Sequence, residues 1–128
     1  MITPEQLASS GTEDGHQLAV MCWAALNLNR YPDLKWLHHI ANGGFRNKRE
    51  AAKLKAMGVK RGVPDLNLPV KRGIFSGLYI ELKKLKKGVV SDEQNEWIDF
   101  LRSQGYGAIV CVGWEQARDT IIKYLEWK

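Results

Sequence analysis

The sequence predicts a single α/β domain in which a mixed sheet is flanked by helices. Three observations predict it. Residues 77–85 alternate apolar and polar side chains with the period of a strand. Thr12, Asn47 and Ser91 each stand just before a helix-like segment, as capping residues do. Residues 108–112 form an unbroken apolar run of strand length. The chain has 128 residues, which fits one domain over 1–128 and leaves no room for two. Roughly two-thirds of the unfolded surface can be buried at that size.

Residues 1–11 show no periodicity and are expected to be loosely ordered. Thr12 can cap a helix that begins at Glu13, with Ala19, Met21, Cys22, Ala25, Leu26 and Leu28 as its apolar surface; it should stop before Pro32. Residues 36–40 are short and apolar enough for a strand, and Asn42-Gly43-Gly44 forces a turn. Asn47 with Glu50 three residues on reads as a capping box for a basic helix over 48–57, closed by Gly58.

Residues 65–70 read as a brief strand, with Leu66, Leu68 and Val70 alternating with Asp65, Asn67 and Pro69. The strand over 77–85 sets Leu78, Ile80 and Leu82 on one face and Tyr79, Glu81 and Lys83 on the other. Gly88 breaks the chain, and Ser91 caps a helix carrying Trp97, Ile98, Phe100 and Leu101 that ends at Gly105. Residues 108–112 should be a strand buried on both faces, and a last helix runs over 114–124.

Lys and Arg number 19 against 14 Asp and Glu, a net charge of +5. This balance suits a polyanion, because phosphate contacts release counterions, but it also suits a merely soluble basic protein. Cys22 and Cys111 lie in apolar surroundings without metal-ligand spacing, so two buried thiols in a reducing compartment are expected. No apolar run approaches a membrane span and no basic-then-apolar signal opens the chain, so the expected location is the cytoplasm, without a membrane partner.

The chemistry-bearing pattern is Tyr79-Ile80-Glu81-Leu82-Lys83. Strand alternation puts Glu81 and Lys83 on one face, about 7 Å apart along the strand. Asp65 opens the preceding strand, and a hairpin pairing would bring it to Glu81 within reach of one ion. The Leu82 carbonyl can point toward such an ion while its side chain enters the core. Carboxylates holding a hard cation such as Mg²⁺, beside an amine, can activate water and offset charge in phosphodiester hydrolysis. The same spacing also describes a solvated face with cross-strand charge pairing.

Gly62-Val63-Pro64-Asp65, then Glu81-Leu82-Lys83, then Gln94, resembles the PD-(D/E)xK nuclease superfamily and, more narrowly, the VRR-NUC family. That family includes stand-alone phage nucleases and the nuclease domain of the Fanconi-associated nuclease. The resemblance covers nearly the whole chain, including Glu13, Gln17, Asn42-Gly43-Gly44 with Arg46, Leu54-Lys55 with Gly58, and Gly105-Tyr106. It implies a restriction-endonuclease-like αβββαβ core and a Mg²⁺-dependent endodeoxyribonuclease in which Mn²⁺ can substitute. By motif position it implies Asp65, Glu81 and the Leu82 main-chain carbonyl as metal ligands and Lys83 as the catalytic lysine. Glu13 and Gln94 are carried over as supporting residues, with Glu13 a candidate further ligand, although Glu5 and Asp14 can be aligned there too. Small members resemble homodimers that cut branched DNA such as four-way (Holliday) junctions, in bacterial or phage-infected cells.

Several of these residues have a plainer explanation. Gln94 three residues after Ser91 makes a capping box, a role that competes with one in the site. Glu13 at a helix start is a favourable electrostatic cap. His16, His38 and His39 have no Cys or further His to complete a zinc set. Arg46, Lys48, Arg49, Lys53, Lys55, Lys60 and Arg61, with Lys84, Lys86 and Lys87, are the candidate nucleic-acid contacts, although such runs are usually solvated faces. Trp97 and Trp114 read as packing residues, and Trp36 and Trp127 as candidates for a dimer surface. A non-catalytic nucleic-acid-binding module, or a nuclease for flaps, single strands or linear duplex, are the alternatives. No small-molecule substrate is expected.

Overall fold

The computed structural model describes residues 1–41 and 47–128. The expected turn at Asn42-Gly43-Gly44 and the contact at Arg46 lie outside the described residues. The chain forms α1 (Pro4–Ala8), α2 (Glu13–Leu26), a 3-10 turn (Pro32–Trp36), β1 (His38–His39), α3 (Lys48–Ala56), β2 (Leu66–Leu68), β3 (Leu78–Lys83), α4 (Asp92–Ser103), β4 (Gly107–Val112) and α5 (Trp114–Glu126). The sheet order is β1-β2-β3-β4, antiparallel except for the parallel β3–β4 pair. This is the expected mixed sheet flanked by helices, with α4 as the crossover that a parallel pair requires.

Capping explains most boundaries. Thr12 accepts from the Gly15 amide at 3.0 Å, Asn47 from Glu50 at 2.8 Å, and Ser91 from Gln94 at 3.2 Å. α5 starts after Gly113, which has no side chain to cap it. Instead His16, buried in α2, accepts from the Trp114 amide through Nδ1 at 3.1 Å and ties the two helices together.

Three expectations are corrected. The segment 1–11, expected to be loose, contains α1, opened by a Thr3–Gln6 capping box and packed on α2. The strand expected over 36–40 shrinks to His38–His39, because Trp36 is the last residue of the 3-10 turn that begins at Pro32 and so is not extended. The strand β4 is not buried on both faces. It forms the sheet edge, and Ile109 and Val112 are 39% and 43% exposed.

Apolar packing divides about the sheet. Leu78, Ile80 and Leu82 point into the larger cluster, with Val20 and Trp23 of α2 and Trp114, Ile121 and Tyr124 of α5. Tyr79 meets a smaller cluster in which α4 contributes Ile98 and Leu101. The face carrying Glu81 and Lys83 is therefore covered by a helix rather than solvated. The outer row of β4 is engaged near both ends: Arg102 Nε donates to the Ala108 carbonyl at 2.9 Å, and Gln116 Oε1 accepts from the Val112 amide at 2.7 Å.

Candidate active site

The register of β2 and β3 assembles the site. Leu66 pairs with Ile80, so one step further the chain sets Asp65 opposite Glu81. Directly opposed residues on an antiparallel pair present side chains to the same face at close range. Glu13, at the first turn of α2, reaches the same place. One carboxylate oxygen each from Glu13, Asp65 and Glu81 all lie within 4.8 Å of one another.

Lys83 sits two residues beyond Glu81 on the same face. Its Nζ is 3.5 Å from Glu81 Oε2 and 4.0 Å from Glu13 Oε1. Both Glu81 and Lys83 are buried, at 1% and 6% exposure. The chain after Lys83 folds back over it: a Cβ on Gly88 would stand 3.1 Å from that of Lys83. In the sequence Gly88 reads only as a chain breaker; its further use is to let this loop lie close.

Burial is the first reason the Glu81 carboxyl is pushed up from 4.5 to about 8. The neighbouring Asp65 carboxylate raises it further, and Lys83 pulls it partly back. Among the described residues, Glu81 Oε1 is a buried oxygen to which the chain offers no donor other than a proton shared with the Asp65 carboxyl. Such an atom is costly unless something electropositive meets it. Together with the three converging carboxylates it fits a small divalent cation held by oxygen ligands.

Asp65 Oδ2 accepts from the Leu82 amide at 2.8 Å, which fixes that carboxylate against β3. The amide and carbonyl of one strand residue leave on the same edge, so the Leu82 carbonyl also points toward the Asp65 side, while the Lys83 carbonyl is taken on the other edge by the Gly113 amide. Pro64, fully buried, and Gly62, with φ of +88°, set the approach to Asp65. A Cβ on Gly62 would come within 2.7 Å of the Glu93 backbone, so this position also lets the chain pass closely by the start of α4.

Gln94 combines two roles that looked mutually exclusive. Its Oε1 accepts from the Ser91 amide at 2.8 Å and completes the capping box. Its Nε2 donates to Glu81 Oε2 at 3.2 Å. The cap thus fixes which end of the amide faces the carboxylate.

His39 was missed by the sequence reading as a neighbour of the site. Its Nδ1 lies 2.8 Å from the Asp65 carbonyl, a group that only accepts, so this nitrogen carries the proton. The only sequence signal was its place on the strand before Asp65. His38 instead meets the Trp36 carbonyl.

The basic candidates fall into two sets. Lys48, Arg49, Lys53, Lys55, Lys60 and Arg61 are all exposed on α3 and the turn after it, which returns to the core at Gly62, three residues before Asp65. Lys84 is half-buried, and Lys86 and Lys87 are exposed, on the loop that covers Lys83. Trp114 is buried and Trp97 half-buried, while Trp36 and Trp127 are about half exposed. No described helix is long and apolar enough to cross a membrane.

Comparison with known proteins gives a consistent result. The family model for the VRR-NUC domain matches residues 7–115. A solved structure described as a VRR_NUC domain protein is 36% identical, with a TM-score of 0.74, over 88% of this chain and 87% of that one. No curated protein matches the chain.

Proposed function

Because this chain belongs to the VRR-NUC domain family, with its nuclease-type fold, we propose that it is a divalent-metal-dependent endodeoxyribonuclease selective for DNA structure. The observation that carries this reading is the convergence of Glu13, Asp65 and the buried Glu81 beside the Lys83 amine.

Asp65 and Glu81 would hold the cation, helped by Glu13 and the Leu82 carbonyl. When bound, Mg²⁺ or Mn²⁺ lowers the pKa of water and offsets charge on the phosphoryl oxygens. The chain's own groups do the rest. The Leu82 amide orients Asp65, and the Gln94 amide orients Glu81 through Oε2. Lys83, held by carboxylates on two sides, is placed to position the attacking water or to stabilise the charge that develops on phosphorus oxygens. The cations of α3 and of the 84–87 loop would grip phosphates without reading bases, so binding should follow DNA shape and weaken with salt.

The preferred substrate in this reading is branched DNA such as a four-way junction, cut by a homodimer whose two-fold symmetry matches that of the junction. The test is cleavage of sequence-matched junction, flap, single-stranded and linear duplex DNA, with Mg²⁺ or with EDTA. Metal-dependent cutting of the junction is expected, with activity abolished by Asp65→Asn or Glu81→Gln and strongly reduced by Lys83→Ala while the fold is retained. Junctions cut no better than linear duplex would remove the branched-substrate part. Salt-sensitive binding without any cleavage would replace the enzyme by a binding module.

A further inference from the structure

Residues 48–61 carry six cations and one anion, Glu50, a net charge of +5. The whole chain is also +5, so everything outside this segment sums to zero. The protein's entire excess charge sits on α3 and the turn that follows it.

This segment has little folding support of its own. No residue of α3 is buried, and among the described residues α3 packs extensively against no other helix or strand. Only Leu54 in the helix and Val59 after it are even half covered. They form the apolar pair of a Schellman stop, in which the Val59 amide bonds the Leu54 carbonyl and the Gly58 amide that of Lys55. Local caps are therefore good at both ends. Even so, the helix spans nine residues, and isolated helices below roughly 12–15 residues are marginal in water. Arg49 and Lys53 add like-charge repulsion one turn apart, and Lys48 and Arg49 stand at the helix end that disfavours cations.

We infer that the DNA backbone is the missing support: phosphates neutralise this segment and stabilise α3 as a helix, so that helix formation and DNA binding are thermodynamically linked. The inference rests on the nuclease reading above and adds a means of substrate-coupled ordering to it. The geometry gives the linkage a use. The segment rejoins the core at Gly62, whose backbone lies against Glu93 of α4, and Asp65 follows three residues later. A backbone gripped by α3 is thus tethered by a short, constrained stretch to the catalytic carboxylates.

The test uses amide hydrogen exchange and DNA binding on the full chain in EDTA. In the free protein, the amides of 52–56 should exchange much faster than those of β3, and a four-way DNA junction should slow them at least about tenfold. Ala52→Gly removes only an exposed methyl from the helix interior. It should weaken junction binding about fivefold, the equivalent of the glycine penalty in a helix, and leave the melting temperature of the free protein unchanged. Amides of 52–56 as protected as β3 without DNA, or unaltered affinity in Ala52→Gly, would overturn the linkage while leaving metal-dependent cleavage intact. A wild-type protein that neither binds nor cuts DNA would overturn the nuclease reading and this inference with it.

Discussion

Gln94 donates through Nε2 to Glu81 Oε2 over 3.2 Å while its Oε1 accepts from the Ser91 amide. One side chain therefore serves the start of α4 and the orientation of a buried carboxylate. The two functions can be separated. Glu at position 94 can keep the capping box, whereas Ala cannot. We expect Gln94→Glu to cut turnover about 10–100-fold, because it turns a donor facing Glu81 into an acceptor. Gln94→Ala should lose a similar factor and also melt lower, by an amount matching about 1 kcal/mol. Cleavage rates and thermal melts of both variants check this; full activity in Gln94→Glu would reduce Gln94 to a cap.

The pH dependence of stability follows from Glu81. Its folded value, about 8, lies above its ordinary value of 4.5, so the native state binds the extra proton between them. This stabilising contribution is complete below the lower value and is lost as pH rises through the upper one. In a chelator, the wild-type melting temperature should fall more steeply than that of Glu81→Gln between about pH 5 and pH 9. Parallel melting curves for the two proteins would contradict it.

The same proton competes with a cation. At neutral pH, divalent-metal binding should release close to one proton, and metal affinity should climb until about pH 8 and then level off. Calorimetry in buffers of different ionisation enthalpy measures the release directly. Glu81→Gln should release none, and a buffer-independent binding heat in the wild type would show that the carboxyl is already ionised.

Gly62 offers a structural test remote from the acids. Alanine there must adopt φ near +88° and press a methyl within 2.7 Å of the Glu93 backbone. The conformational part alone costs about 1–2 kcal/mol, and relief of the contact has to shift Pro64 and Asp65 or the start of α4. We expect a melting temperature about 5–10 °C lower and weakened divalent-metal binding in the same variant. A stable Gly62→Ala protein with normal metal affinity would show that this passage does not set Asp65.

What could be read from the sequence divides along physical lines. The alternation around Glu81 and Lys83, and the caps at Thr12, Asn47 and Ser91, are local signals, and each stands where its side chain implies. The nearness of Asp65 to Glu81 needed one further assumption, an antiparallel pairing of successive strands, which the Leu66–Ile80 register meets. Edge position was not legible. An apolar run such as 108–112 looks the same whether helices cover both faces or leave Ile109 and Val112 in solvent. The joint use of Gln94 was hidden for a related reason: a sequence shows that an amide can cap, but not what its other end faces. His16 capping α5 from α2 joins residues 98 positions apart, and no local pattern encodes that.

The engaged outer row of β4 has a consequence for how the protein behaves at high concentration. An uncovered border strand invites foreign chains to add themselves, the first step toward fibres. Here a guanidinium plugs one end and a carboxamide the other, so an intruding segment meets interruptions on both sides of Val110. The domain can thus keep a parallel strand at its rim without offering a template for polymerisation.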